Sequence, residues 1–351
     1  MHPQNPPEQV LFTVKDYEFI EMVGRGGFAE VYLVNDKRFG CPFVAKVMMT
    51  EGSQSEKWKA FDAEVNALSS LDHPNIIRLY DHFCIANKYY LILEYCPNGS
   101  LQAEINKTSG LSLDRFIFIG KLISNALLYS HNKGIAHNDI KPSNVLLDYA
   151  NNPKVADFGL CMKTVNGQLC KSFAGSLAFT APEIFQKKSH DPLKADCWSL
   201  GVTFAIMANG YSPWEYESLG GLKEKVSQGT IRLRKGLPEM VVDLIHRTIT
   251  VDPSERLTMK EIVEHPLFQA PSIPRRIVWI RKLLEKPKWN TIQRISNGMT
   301  FDDSILNDYK LEYDNSNVKN TFVHSASSMF CHRSKAVKEV TQRFRVKSNH
   351  T

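Results

Sequence analysis

Between residues 17 and 95 the chain runs in short β-branched and apolar stretches separated by polar breaks, and one helical stretch interrupts them. Residues 19–23, 31–34, 44–48, 76–79 and 90–93 predict strands. Residues 56–71 predict a helix, because Trp58, Phe61, Val65 and Leu68 recur three and four apart and so share one face. Glu64 lies beside that stripe and points inward with it. Beyond Asn98-Gly99 the period lengthens to that of helices. Residues 113–133 place Phe116, Ile123, Leu127 and Ser130 on one side, and residues 196–208 are apolar nearly all round, as suits a helix at the centre of a domain. Thr258-Met259-Lys260-Glu261 is a capping box that opens a last helix before His265-Pro266. The pattern is a small sheet-rich lobe and a larger helical lobe, joined near residues 94–99.

Composition restricts this picture only a little. With 351 residues, 43% hydrophobic and 23% charged, the chain is long enough for two packed units and an appendage. No stretch approaches the ~20 consecutive apolar residues of a membrane span, and residues 1–9 carry no apolar run of a secretory signal. Seven cysteines stand singly with no Cys-x-x-Cys pair, which argues against a disulfide framework or a zinc site and for a reduced, cytoplasmic protein. Charge divides unevenly. Residues 269–351 hold 15 Lys and Arg against 7 Asp and Glu, whereas the preceding chain is close to neutral.

Candidate chemistry begins at Gly24-Arg25-Gly26-Gly27-Phe28-Ala29-Glu30-Val31, set between two predicted strands. Its glycines let backbone N–H groups approach phosphate oxygens with no Cβ in the way; a dinucleotide fold would follow this loop with a helix, and here a strand follows. Lys46 sits inside the next apolar strand, and Glu64 offers it a partner on the inward face of the helix. The segment His137-Asn138-Asp139-Ile140-Lys141-Pro142-Ser143-Asn144-Val145-Leu146 and the later Asp157-Phe158-Gly159 weigh most. Phosphoryl transfer asks for an acceptor for the hydroxyl proton, a cation near the transferring phosphate and oxygen ligands for magnesium; Asp139, Lys141, Asn144 and Asp157 are groups of those kinds.

These motifs, in this order, resemble the eukaryotic protein kinase family over about residues 17–268. Ala181-Pro182-Glu183 resembles the end of that family's activation segment, Asp196-Cys197-Trp198 the start of its central helix, and Arg256 its partner for Glu183. Lys141 together with Gly175-Ser176 resembles the serine/threonine branch. The segment 172–183 is similar to the calmodulin-dependent and AMP-activated group, and Gly27-Phe28-Ala29 to the polo-like loop.

The resemblance implies an α+β, two-lobed kinase fold: a small antiparallel β-sheet lobe with one helix (residues 17–95) and a larger helical lobe (96–268), between an N-terminal extension (1–16) and a basic, partly disordered tail (269–351). It implies transfer of the γ-phosphoryl group of Mg-ATP to serine or threonine hydroxyls of protein substrates. In that reading Lys46 holds the α- and β-phosphates with Glu64 as its ion-pair partner. Asp139 is the catalytic base, Lys141 steadies the γ-phosphate, and Asn144 and Asp157 hold magnesium. Gly24, Gly26 and Gly27 cover the phosphates, the hinge residues Glu94 and Cys96 meet adenine through their backbone, and Val31, Val44 and Leu146 sandwich its ring, with Leu93 as gatekeeper. Loss of the phosphate-binding groups would instead leave a scaffold, but every such group is present.

In the tail, residues 273–289 place Ile277, Ile280 and Leu284 together amid arginines and lysines. That basic amphipathic stretch suits docking on the kinase's own core, binding an acidic partner such as calmodulin, or contact with anionic lipid. No DNA partner is expected, because no base-reading motif accompanies the charge.

The chain departs from the family in three respects, one being that Ser100, Ser143 and Ile206 stand where arginine-directed members carry acids, so no strong preference for arginine before the acceptor is expected. Ala29 replaces the third glycine, at the cost of one methyl group. Asn138 stands where many members carry an arginine that pairs with a phosphate on the activation segment, and an amide supplies no charged fork. Ser172 matches the usual phosphosite. The phosphorylated protein and a Ser172→Ala variant are therefore predicted to turn over a common substrate within about tenfold of each other; a larger advantage for the phosphorylated form, measured in parallel assays, contradicts the expectation.

Overall fold

The computed structural model describes residues 10–26, 29–49, 54–164, 169–171 and 175–269. Gly27, Ser172, Cys331 and the tail stretch 273–289 lie outside the described residues.

The first lobe is a six-stranded antiparallel sheet in the order β1-β2-β3-β4-β6-β5: β1 (Phe12–Val14), β2 (Tyr17–Arg25), β3 (Glu30–Asp36), β4 (Cys41–Met49), β5 (Leu79–Ile85) and β6 (Lys88–Glu94). Strand alternation sorts its side chains. Tyr32 and Val34 of β3 and Ala45 and Val47 of β4 turn into a compact core with Phe19 and Tyr90. The intervening Val31, Val44 and Lys46 therefore share the opposite face, where they are half-buried. Strand β1 was not anticipated. Three residues of the stretch read as an extension pair with β2, and Phe12 stacks on its partner Phe19 with ring centroids 4.4 Å apart.

Helix α1 (Gln54–Ser70) crosses between β4 and β5 in the chain. Phe61 and Leu68 are buried as the periodicity predicts, but Trp58 is 46% exposed. It lies at the margin of the apolar face, where its ring meets Tyr89 at 5.3 Å, so the face is centred on Phe61, Glu64 and Leu68. The strand expected over residues 76–79 is also displaced. Ile76 and Ile77 are both buried but do not join the sheet. They bond instead to Val155, Ile77 N–H donating to its carbonyl at 2.8 Å, and β5 starts only at Leu79.

The second lobe is helical: α2 (Leu101–Thr108), α3 (Leu113–Asn132), α4 (Pro182–Phe185), α5 (Pro192–Asn209), α6 (Leu219–Gln228), α7 (Glu239–Thr248), α8 (Met259–Glu264) and α9 (Pro266–Gln269). Four short strands cross it: β7 (Ile135–Ala136), β8 (Val145–Leu147), β9 (Pro153–Val155) and β10 (Met162–Lys163), paired β7 with β10 and β8 with β9. Capping residues set the helix starts. Ser112 accepts from Arg115 N–H, Asp191 accepts from Leu193 N–H, and the capping box at Thr258 and Glu261 forms in both directions. The expected stripe of α3, from Phe116 through Ser130, is buried throughout. Helix α5 is buried on all sides. Its Gly201 permits close approach of α7, since a Cβ there would lie 2.6 Å from the Thr248 hydroxyl. Among the described residues no helix is long and apolar enough to cross a membrane.

Arg256, fully buried, pairs through both terminal nitrogens with Glu183 at 2.8 and 2.9 Å and also donates to the Lys194 and Thr250 carbonyls. Arg256 thereby fastens the connection between α7 and α8 to α4 and to the first turn of α5. Arg256→Ala leaves the Glu183 carboxylate buried without its cation, a loss of about 3–5 kcal/mol. Urea unfolding is predicted to show the deficit, and a change under about 1 kcal/mol would mean that solvent reaches Glu183 readily.

Candidate active site

Two groups of side chains face one another between the lobes. In the first, the Lys46 ammonium from β4 donates to both oxygens of Glu64 at 3.0 and 2.7 Å and to Asp157 Oδ1 at 2.7 Å. Register brings them there: Lys46 is opposite Val31 on β3 and Leu91 on β6, which puts it on the sheet face that α1 covers with Glu64. Burial would lower the Lys46 pKa, but the two carboxylates outweigh it and the net direction is upward. Burial also pushes Glu64, only 1% exposed, upward against the pull of Lys46. Asp157 is 47% exposed, and although burial acts to raise it, Lys46 draws it below the usual carboxylate range. One lysine is thus held between a dry carboxylate and a wetter one.

The second group lies on the loop after β7. Asp139 Oδ2 accepts from Lys141 Nζ at 2.6 Å and from Asn144 Nδ2 at 2.9 Å, and Asp139 Oδ1 accepts from the Ser176 backbone at 3.1 Å and its hydroxyl at 2.9 Å. Lys141 also donates to the Ser176 hydroxyl at 2.8 Å. The groups are joined through the backbone, because Ala156 N–H, next to Asp157, donates to the Asn144 carbonyl at 2.8 Å. Asp157 and Asn138 both adopt left-handed backbone, each at φ 66°, a conformation that Asp and Asn tolerate better than most residues.

The remaining expected residues border this cleft. Val31, Val44 and Leu146 are half-buried, while Leu93 is buried opposite Val44. Gly24 pairs with Val31, and Gly26 donates to the Ala29 carbonyl at 2.8 Å, which closes the loop as a hairpin. Neither glycine has positive φ, and Ala29 does not either. The added methyl of Ala29 therefore meets no left-handed backbone. The Glu94 carboxylate turns to Lys154 Nζ at 2.7 Å, and Cys96 is buried, a thiol pushed upward by burial and by the nearby Glu94.

Sequence reasoning did not give a role to Asp196 or Ser176. Asp196, 1% exposed in the apolar α5, accepts from the backbone N–H of His137 at 2.7 Å and of Asn138 at 2.9 Å, and lies 2.9 Å from His131 Nε2. A single acid in an otherwise apolar helix was the available signal.

A family model described as "Protein kinase domain" matches residues 17–268. The chain belongs to the protein kinase domain family. Members of this family use ATP. The kinase domain is similar to maternal embryonic leucine zipper kinase of Xenopus tropicalis, 35% identical over 264 residues, and of Danio rerio, 34% identical over 263 residues; each alignment covers 74% of this chain. It is also 33% identical over 255 residues, 72% of this chain, to a probable serine/threonine-protein kinase MARK-A of Dictyostelium discoideum. The aligned part spans only 40%, 39% and 24% of those three relatives.

The kinase domain's Lys46–Glu64 pair makes a pH prediction. A lysine whose pKa is raised keeps its charge as pH climbs past the ordinary value of about 10.4 and loses it only above that. Glu64→Gln removes one of the two carboxylates and leaves the burial, so the charge is lost at lower pH. Between pH 8 and 10 wild type is predicted to bind an ATP analogue with level affinity, while Glu64→Gln loses affinity toward the upper end of that window; coincident level profiles would mean that Asp157 alone sets the Lys46 charge.

Proposed function

We propose that the chain is a serine/threonine protein kinase that transfers the γ-phosphoryl group of Mg-ATP to hydroxyls of protein substrates. The observation that carries the reading is the Asp139–Lys141–Ser176 triangle, set across the cleft from Lys46, Glu64 and Asp157. A carboxylate offers about four lone-pair positions, and the four donors on Asp139 occupy them all. Swinging Lys141 Nζ from Asp139 Oδ2 towards a phosphate frees one position. The incoming serine or threonine hydroxyl takes it, and Asp139 orients that hydroxyl and accepts its proton late in the transfer. Asn144 and Ser176 keep the carboxylate from turning meanwhile.

The donor set suits magnesium. Asp157 commits one oxygen to Lys46, and the Asn144 amide nitrogen is committed to Asp139, so a second carboxylate oxygen and an amide oxygen serve as hard ligands. When bound, magnesium supplies neutralisation of charge on the phosphates. Lys46 contributes a fixed positive charge beside it, and Val31, Val44 and Leu146 offer apolar contact to a purine. The reading extends to a cytoplasmic enzyme, supported by the thiols of Cys84, Cys96, Cys161 and Cys197. A tail that docks on the domain or on calmodulin belongs to the same proposal.

Transfer of labelled γ-phosphate to a generic protein substrate tests it. Asp139→Asn is expected to lower turnover by at least ~10² with ATP affinity nearly unchanged, since a positioned base is worth about that factor. Asp157→Ala is expected to abolish labelling. Equal turnover of Asp139→Asn and wild type would remove Asp139 from its role, and ATP binding without labelling by any form would favour a scaffold.

A further inference from the structure

The short segment that carries Asp157 is fastened to the catalytic loop on both sides by consecutive residues. On the near side, His137 Nε2 lies 3.0 Å from the carbonyl of Ala156, and its ring packs on Phe158 with centroids 4.6 Å apart. On the far side, Asn138 Nδ2 donates to the carbonyl of Leu160 at 3.0 Å. Only the amide nitrogen can face a carbonyl oxygen, so the orientation of this side chain follows from its partner. The origin of the side chain is itself fixed, because Asn138 N–H is bound to the buried Asp196 at 2.9 Å and the residue sits at φ 66°. At its start the segment is also held by Ala156 N–H on the Asn144 carbonyl at 2.8 Å and by Lys46 on Asp157 at 2.7 Å, but on the far side the other ties are weaker or more distant: Cys161 Sγ meets the Ala63 carbonyl at 3.5 Å, and β10 joins β7 only from Met162.

We propose that Asn138 is a positioning residue for the metal-holding carboxylate, an uncharged tether that keeps Asp157 in its left-handed conformation and aimed across the cleft. Asn combines two properties that the place requires. It tolerates positive φ, and it carries a neutral donor at the length that reaches the next segment. His137 and Asn138 together form a two-point clamp on residues 156–160, and Asp196 anchors both through their backbone. The metal-holding loop is thereby set by amide and imidazole contacts. The proposal rests on the reading of Asp157 as a metal ligand in a kinase site.

Asn138→Gly separates the tether from the backbone, since glycine accepts φ 66° freely and offers no amide. Mn2+ binding to the full chain with ADP, followed by the electron paramagnetic resonance of the free ion, reads the site directly without turnover. Asn138→Gly is expected to weaken Mn2+ about 3- to 10-fold, the loss that follows from one neutral hydrogen bond, with metal-free ADP affinity unchanged. The Mg2+ concentration for half-maximal phosphoryl transfer is expected to rise by the same factor while KM for the protein substrate stays constant. Asn138→Ala, which also lacks the donor but prefers a different backbone, is expected to weaken Mn2+ at least as much and serves if the glycine variant does not fold. Mn2+ affinity of Asn138→Gly within twofold of wild type overturns the tether. Wild type that neither binds Mn2+ with ADP nor transfers phosphate overturns the kinase reading and the tether together.

Discussion

One buried carboxylate organises the catalytic loop. Asp196 lies in α5 among apolar neighbours, where an isolated charge would be costly, and it is retained because two backbone N–H groups converge on it with the His131 ring beside them. The dependence is mutual: without Asp196 those amides would be buried and unpaired, at about 1–3 kcal/mol each. From this anchor the loop runs to Asp139, and from the same two residues the clamp reaches the segment that carries Asp157. The buried helix α5 thus sets the position of Asp139 and, through the clamp, of Asp157.

The other half of the site depends on a lysine that serves two lobes. Lys46 belongs to the sheet, Glu64 to α1 and Asp157 to the second lobe, and their bonds are all 3.0 Å or shorter. The carboxylates respond in opposite directions, Glu64 upward and Asp157 downward, because burial prevails at one and the ammonium at the other. The arrangement leaves Asp157 partly open to solvent while Glu64 stays buried.

Residues 17–95 show how far periodicity reaches. Four of the five strands expected there formed, as β2, β3, β4 and β6 of one sheet. The failure at 76–79 came from the backbone on either side of Ile76, which bonds to Val155, a partner remote in the chain. Trp58 shows the same limit: spacing puts it on the apolar stripe, but only the edge contact with Tyr89 decides that it stays half outside. Strand β1 escaped notice because three residues make no period of their own and are ordered by pairing with β2.

The sequence by itself determined the chemical inventory: the lysines, the acids, the asparagine at 144, the glycine loop and the order in which they come. It also determined the helix caps and the central apolar helix, since both depend on neighbours within a few residues. Tertiary structure alone decided which acid pairs with which lysine, that Ser176 and Asp196 belong to the site, and that Asn138 reaches Leu160. The reason is physical. Capping and amphipathic burial are local in the chain, whereas ion pairs and backbone-to-carboxylate bonds join segments from 18 to 111 residues apart and exist only once packing has brought those segments together.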